Sequence, residues 1–167
     1  MVTRTLQIAR RAGVTTLLNA APAAALTSDQ YVLIDWLVVN EGEAADLLGR
    51  AVESDAEALA AAVALHERGP RHVVLTRGAA GLVHASDTGA LQHAAARVDP
   101  VDTTGAGDTF VGALAASLAA GLPPSAALRW GQAAAALATT RAGTQAAMPL
   151  REEVLALLES GALKADT

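Results

Sequence analysis

Short β-prone runs alternate with helical stretches along this chain, and each of the first three runs ends in polar residues. Val14–Leu18 leads into Asn19, Leu37–Val39 into Asn40, and His72–Thr76 into Arg77 and Gly78. Residues 3–12 read as a helix closed by Gly13, and Glu41–Leu48 as a short helix. Ser54 is placed to cap a helix running to about Arg68, with Glu57 at the capping-box position. Leu82–Ala85 and Leu91–Ala94 flank Asp87-Thr88-Gly89, which predicts a hairpin. Two alanine-rich helices follow, at about 107–120 and 124–140, separated by Gly121-Leu122-Pro123-Pro124, and a last helix spans about 150–159. Strands alternating with helices predict an α/β fold, a Rossmann-like and mostly parallel sheet with flanking helices. In such folds ligands bind beyond the carboxyl ends of the strands. Asn19, Asn40 and Thr76–Gly78 all fall there. With no internal repeat or low-complexity linker, one domain over 1–167 is expected.

Composition narrows the function classes. Aromatic residues make up 2% of the chain and its net charge is −5, so neither base-stacking platforms nor a basic stripe for a nucleic-acid backbone is in view. There is no cysteine, which removes disulfides, thiolate catalysis and cysteine-type zinc sites. No apolar run approaches the length of a membrane span, and the amphipathic start lacks a signal-peptide pattern, so no membrane partner and a cytoplasmic location are expected. His66, His72, His84 and His93 lack metal-ligand spacing, and His84 and His93, on opposite arms of the hairpin, are expected on an exposed face. Trp36 and Trp130 are expected to pack in the core or at an edge.

The strongest chemical signal is Asp102-Thr103-Thr104-Gly105-Ala106-Gly107-Asp108-Thr109-Phe110. Two glycines bracket an alanine just ahead of a helix. Such a loop lets the backbone turn sharply and lets an anion approach unpaired N–H groups at the positive end of the helix. Asp108 sits in the first turn, where a carboxylate can take a proton from an attacking hydroxyl. The alternative is that Asp108 only caps the helix. No Lys-Ser/Thr pair follows the glycines, so this is not a Walker A loop.

That string resembles the C-terminal signature of the ribokinase-like, pfkB-type carbohydrate kinases. Four other segments resemble the family's motifs in the expected order: Asn19-Ala20-Ala21-Pro22, Asn40-Glu41-Gly42-Glu43, Thr76-Arg77-Gly78-Ala79-Ala80-Gly81 and Thr140-Arg141-Ala142-Gly143-Thr144-Gln145. The resemblance covers about residues 3–158. It implies Asp108 as catalytic base and contact for the sugar, with Gly105, Ala106 and Gly107 as an anion hole. It implies that Asn40 and Glu43 place Mg²⁺ and the phosphates of ATP largely through water, as suits a strongly hydrated oxygen-seeking ion. Their alternative role is a strand-end cap on the following helix. Thr76, Arg77, Gly78, Ala79, Ala80 and Gly81 would line the nucleotide, and Gln132 would lie near adenine unless it is a helix-surface residue. A monovalent cation such as K⁺ would sit by the Asp102 carboxylate and the carbonyls of Thr104, Ala138, Arg141 and Gly143. Ala147 stands at a further cation position where relatives often have serine; the alternative for residues 139–143 is an ordinary helix end closed by glycine.

Members of this family are nearly twice as long, and this sequence resembles their second half. The half that resembles nothing here normally supplies the small β lid and most sugar contacts. The leading expectation is therefore an ATP-dependent kinase for a primary hydroxyl of a sugar, with ribose suggested by the Thr-Arg-x-Gly-x-Gln stretch, whose isolated chain turns over poorly. A non-catalytic nucleotide-binding or assembly module is the alternative. Self-association, or pairing with a separate N-terminal half, is the expected partnership. A dinucleotide oxidoreductase is disfavoured, since no G-x-G-x-x-G opens the first strand–helix unit.

Overall fold

The computed structural model describes residues 2–161 and 163, so Met1, Ala162 and residues 164–167 of the expected 1–167 domain lie outside the described residues. The chain forms two compact units, Met1–Gly78 with Leu82–His93, and Ala79–Gly81 with Ala94–Thr167.

The first unit is an open five-stranded sheet with helices. In chain order its elements are α1 (Val2–Arg11), β1 (Leu17–Asn19), α2 (Ser28–Tyr31), β2 (Trp36–Asn40), α3 (Glu41–Leu48), α4 (Asp55–His66), β3 (His72–Thr76), β4 (Leu82–Ser86) and β5 (Gly89–His93). The strands lie side by side in their order along the chain. β1, β2 and β3 are parallel, with Trp36 opposite His72 and Asn40 opposite Thr76. The predicted hairpin is present and adds two antiparallel pairings, β3 with β4 and β4 with β5, so the sheet is mixed.

Alternation along the strands sends Leu37, Val39, Val73, Leu75, Val83 and Ala85 to one face, where they pack with Ala44 of α3 and Ala58, Ala61, Ala62 and Leu65 of α4. Small alanine faces bring α4 close to the sheet. Trp36, Val38, Val74 and Leu82, on the other face, are buried too. That burial overturns the exposed placement expected for His84 and His93. His93 is 3% exposed, and the His84 ring lies stacked with Trp36 and His72 at centroid separations of 5.7 and 5.2 Å. An antiparallel hairpin commonly leaves one face in water; here the β4 residues are covered, and exposure is confined to β5, where Leu91 is open to solvent. Trp36 packs in the core, as expected, with its ring 4.0 Å from that of His72.

The first strand is shorter than the run that predicted it. Val14 is exposed, and the Thr16 amide donates to the Asp35 carboxylate at 2.9 Å while its hydroxyl donates to the Leu33 carbonyl at 2.8 Å. The Thr16 carbonyl still accepts from the Trp36 amide at 2.9 Å, but the Thr16 amide is taken by Asp35, and the paired register begins at Leu17.

The second unit is helical. α5 (Ala106–Ala119), α6 (Pro124–Thr139) and α7 (Arg151–Glu159) agree with the predicted helices to within a residue or so. Pro124 opens α6 at its first position, where the missing N–H costs nothing. α5 and α6 pack closely because Gly131 of α6 faces the ring of Phe110: a Cβ at that glycine would stand 2.8 Å from the ring. Ala133, Ala134 and Val154 form the unit's core, with Trp130, Leu157 and Leu158 against it.

Candidate functional site

In the first unit, five of the predicted residues gather where β2 and β3 end. Asn40 closes β2 and caps α3. Its side-chain oxygen accepts from the Glu43 amide at 2.8 Å, and the Glu43 carboxylate accepts from the Asn40 amide at 2.8 Å. The capping role is therefore real, and it fixes both side chains at the sheet edge. Asn40 pairs in register with Thr76, whose hydroxyl donates to the Val39 carbonyl at 3.3 Å. Gly78, just beyond, takes a left-handed φ of 53° and opens a single 3₁₀ turn over Gly78–Ala80. Arg77 lies inward: its side chain is 6% exposed and its guanidinium donates to Glu41 at 2.9 Å and to Asp55 at 2.5 Å. Those two bonds hold the arginine cationic, and the guanidinium in turn keeps the Asp55 carboxyl below its ordinary range.

In the second unit, the Gly105–Asp108 loop leads into α5. Gly105 is its N-cap with φ 78°, a conformation that a side chain would strain, and no side chain caps the helix. Thr109 donates its hydroxyl back to the Gly105 carbonyl at 2.9 Å. Asp108 is exposed, and the cap position belongs to Gly105 rather than to it. Gly107 differs from Gly105. Its backbone is not left-handed, and nothing lies within 4 Å of where a Cβ would stand.

Asp102 braces this loop from below. One carboxylate oxygen accepts from the Thr104 amide at 2.9 Å and the other from the Gly143 amide at 3.0 Å. Those backbone bonds, Thr104 first, lower its pKa to about 2. The loop and the end of α6 are thereby joined across 41 residues of chain. The α6 end is itself tied down, since the amides of Val101 and Asp102 donate to the Thr139 carbonyl and Arg141 is paired with Glu153 of α7. Ala138 and Ala147 are buried beside these segments in sequence. Gln132 is buried rather than on the helix surface, and its amide nitrogen donates to the Ala94 carbonyl at 3.0 Å. A groove of about 400 Å³ runs along α5 from Asp108 past Gly112 and Ala116 to Leu122, with Trp130 and Met148 in its wall.

Sequence reasoning missed the partners of the two arginines. Glu41 and Asp55 start helices, which looks like ordinary first-turn acidity. Glu153 likewise sits in the first turn of α7. No spacing in the sequence distinguishes a carboxylate that meets an arginine from one that faces solvent.

Residues 1–151 match the pfkB family carbohydrate kinase. Ribokinase from Haemophilus influenzae is 39% identical over 153 residues, covering 92% of this chain and 50% of that protein. Ribokinase from Mus musculus is 42% identical over 154 residues, covering 89% of this chain and 48% of its own length. Among solved structures, Arabidopsis thaliana ribokinase complexed with ribose and ATP superposes with a TM-score of 0.87 at 29% identity, over 94% of this chain and 51% of that one. The chain thus spans about half the length of the curated relatives it matches.

Proposed function

The chain belongs to the pfkB family of carbohydrate kinases, and from that premise we propose that it carries the nucleotide-binding and catalytic part of an ATP-dependent kinase acting on a primary hydroxyl of a sugar, ribose first. The observation that carries the reading is the Gly105–Asp108 loop: a helix start with an uncapped first turn, an open space over Gly107 and an exposed carboxylate one residue on. Amides there would stabilise the charge that develops on the transferring phosphoryl group. Asp108 would accept the hydroxyl proton as the sugar oxygen forms its bond to the γ-phosphorus and the bond to the bridging oxygen breaks, releasing ADP.

ATP supplies the phosphoryl group, and Mg²⁺, when bound, offsets phosphate charge. Glu43 suits water-mediated contact with that ion, because the Asn40 amide fixes one of its oxygens at the sheet edge and a carboxylate retains further acceptor capacity. Asp102 suits a monovalent cation such as K⁺: an ionised carboxylate with one hydrogen bond on each oxygen still offers lone pairs, and the carbonyls of Thr104, Ala138, Arg141 and Gly143 would complete the set. At Ala147 only the backbone carbonyl can contribute. Thr76, Gly78, Ala79, Ala80 and Gly81 would line the nucleotide through their backbone. Gln132 would act on the adenine side by fixing the Ala94 carbonyl.

A second reading is a nucleotide-binding or assembly module without turnover of its own, supported by the Asn40–Glu43 and Thr76–Gly78 turns, which stand together at one sheet edge independently of Asp108. The proposed partner is a second copy or a separate chain resembling the other half of the family. Calorimetric titration with millimolar Mg-ATP tests the shared premise. Weak, saturable heat is expected; no heat from a chain that is folded by circular dichroism would overturn both readings. Ribose phosphorylation that appears only on co-expression of the complementary half of a relative decides for the kinase.

A further inference from the structure

Arg77 stands inside a segment that resembles a nucleotide loop, yet its side chain does not reach outward. It runs inward, 6% exposed, and ends between two carboxylates that begin two different helices: Glu41, first residue of α3, and Asp55, first residue of α4. Glu41 directly follows Asn40, and Arg77 directly follows Thr76, the strand partner of Asn40. One planar guanidinium therefore joins the end of β3 to the start of α3 and the start of α4. We propose that Arg77 is a positioning residue: it sets the spacing between the Asn40–Glu43 turn and the Thr76–Gly78 turn, and makes no direct contact with the nucleotide.

Three features support this. A guanidinium offers several donors in a rigid fork, so it can hold two acceptors at a fixed angle, which an ammonium on a flexible stem cannot. Its two partners are partly exposed, at 39% for Glu41 and 71% for Asp55, whereas the arginine is enclosed, so the cation is the hinge pin and the carboxylates are the leaves. Among the described residues, the other side-chain tie at these strand ends is the Thr76 hydroxyl on the Val39 carbonyl, at a long 3.3 Å. Arg77 also neutralises two carboxylates that would otherwise stand next to an approaching polyphosphate. The inference rests on the reading that these turns serve a nucleotide.

The experiment compares the 167-residue chain with Arg77→Met, Arg77→Lys and the Glu41→Gln, Asp55→Asn double variant. Mg-ADP affinity is read by calorimetry, thermal stability by scanning, and amide hydrogen exchange residue by residue. Arg77→Met and the double variant should each raise the Mg-ADP Kd about tenfold in protein that is still folded, since small misplacements of binding groups are costly. Exchange should quicken at residues 40–43 and 76–78 and stay unchanged along α1. Arg77→Lys should recover part of the affinity. A drop in Tm with unchanged Kd and unchanged exchange at the two turns would overturn the proposal, because that is the pattern of an ion pair that only stabilises. Should Arg77→Met not fold, Asp55→Asn alone, altering an exposed partner, decides by the same two readouts. If the unaltered chain binds no Mg-ADP, the nucleotide reading fails, and the exchange pattern by itself upholds or overturns the clamp.

Discussion

At the scale of single residues, Gly107 and Asp108 separate what the fold needs from what a ligand would need. Gly105 is required by its left-handed backbone, but no such demand falls on Gly107, and a methyl group there meets no atom. Gly107→Ala should therefore leave stability unchanged or raise it by about 0.5–1 kcal/mol, the usual gain of alanine over glycine in a helix. The same methyl would fill the space that a phosphate needs, so Mg-ATP heat should vanish. Asp108→Asn makes the complementary case. Because Asp108 is exposed and Gly105 holds the cap, asparagine should change stability by less than about 0.5 kcal/mol. In an assembly completed with the other half of a relative, turnover should fall roughly 10²–10⁴-fold, the range of a general base. Denaturation and initial-rate measurements on both variants check the pair. A variant of Asp108 that keeps full turnover would leave the residue with no chemical role.

At the scale of elements, much was legible because the chain announces its own ends. Asn40 with Glu43 and Ser54 with Glu57 each form a capping box, and each of those helices starts where its box places it. Pro124 opens α6 in the same direct way. The four-residue α2 was not legible, since one turn shows no periodicity. Nor was the surrounding of His84 and His93, because alternation tells which residues share a face and not whether that face is wet. The candidate site was legible as motifs, while the bracing by Glu41, Asp55 and Glu153 depends on neighbours distant in sequence. Gly131 was also silent in the sequence. It meets Phe110 so closely that Gly131→Ala should overpack the α5–α6 contact and cost roughly 1–3 kcal/mol, against the helix-propensity gain that alanine normally brings. Urea denaturation decides; a stabilised variant would mean that the two helices part without penalty.

At the scale of the whole molecule, pH is the clearest lever. Burial, foremost, pushes His72 below the ordinary value of 6.5 and takes His84 down to about 4. Between those values the unfolded chain takes up protons that the folded rings refuse. Stability is thus full above pH 6.5 and should fall as pH drops toward 4. Denaturation midpoints across that window should show the slope, and His84→Gln should flatten it. A flat profile for the unaltered chain would contradict the burial of this pair. A further loss, below the ordinary carboxylate range, follows from Asp102, whose backbone bonds persist until it protonates near pH 2. The order of the strands has a consequence of another kind. Each strand from β2 to β5 lies beside the one made just before it. The β4–β5 pairing closes a tight turn, while β1–β2 and β2–β3 are each joined by one helix-containing crossover, so no pairing skips over another strand. As the chain leaves a ribosome, each strand from β2 to β5 meets a neighbour already made, so this part of the sheet can grow one edge at a time in the direction of synthesis.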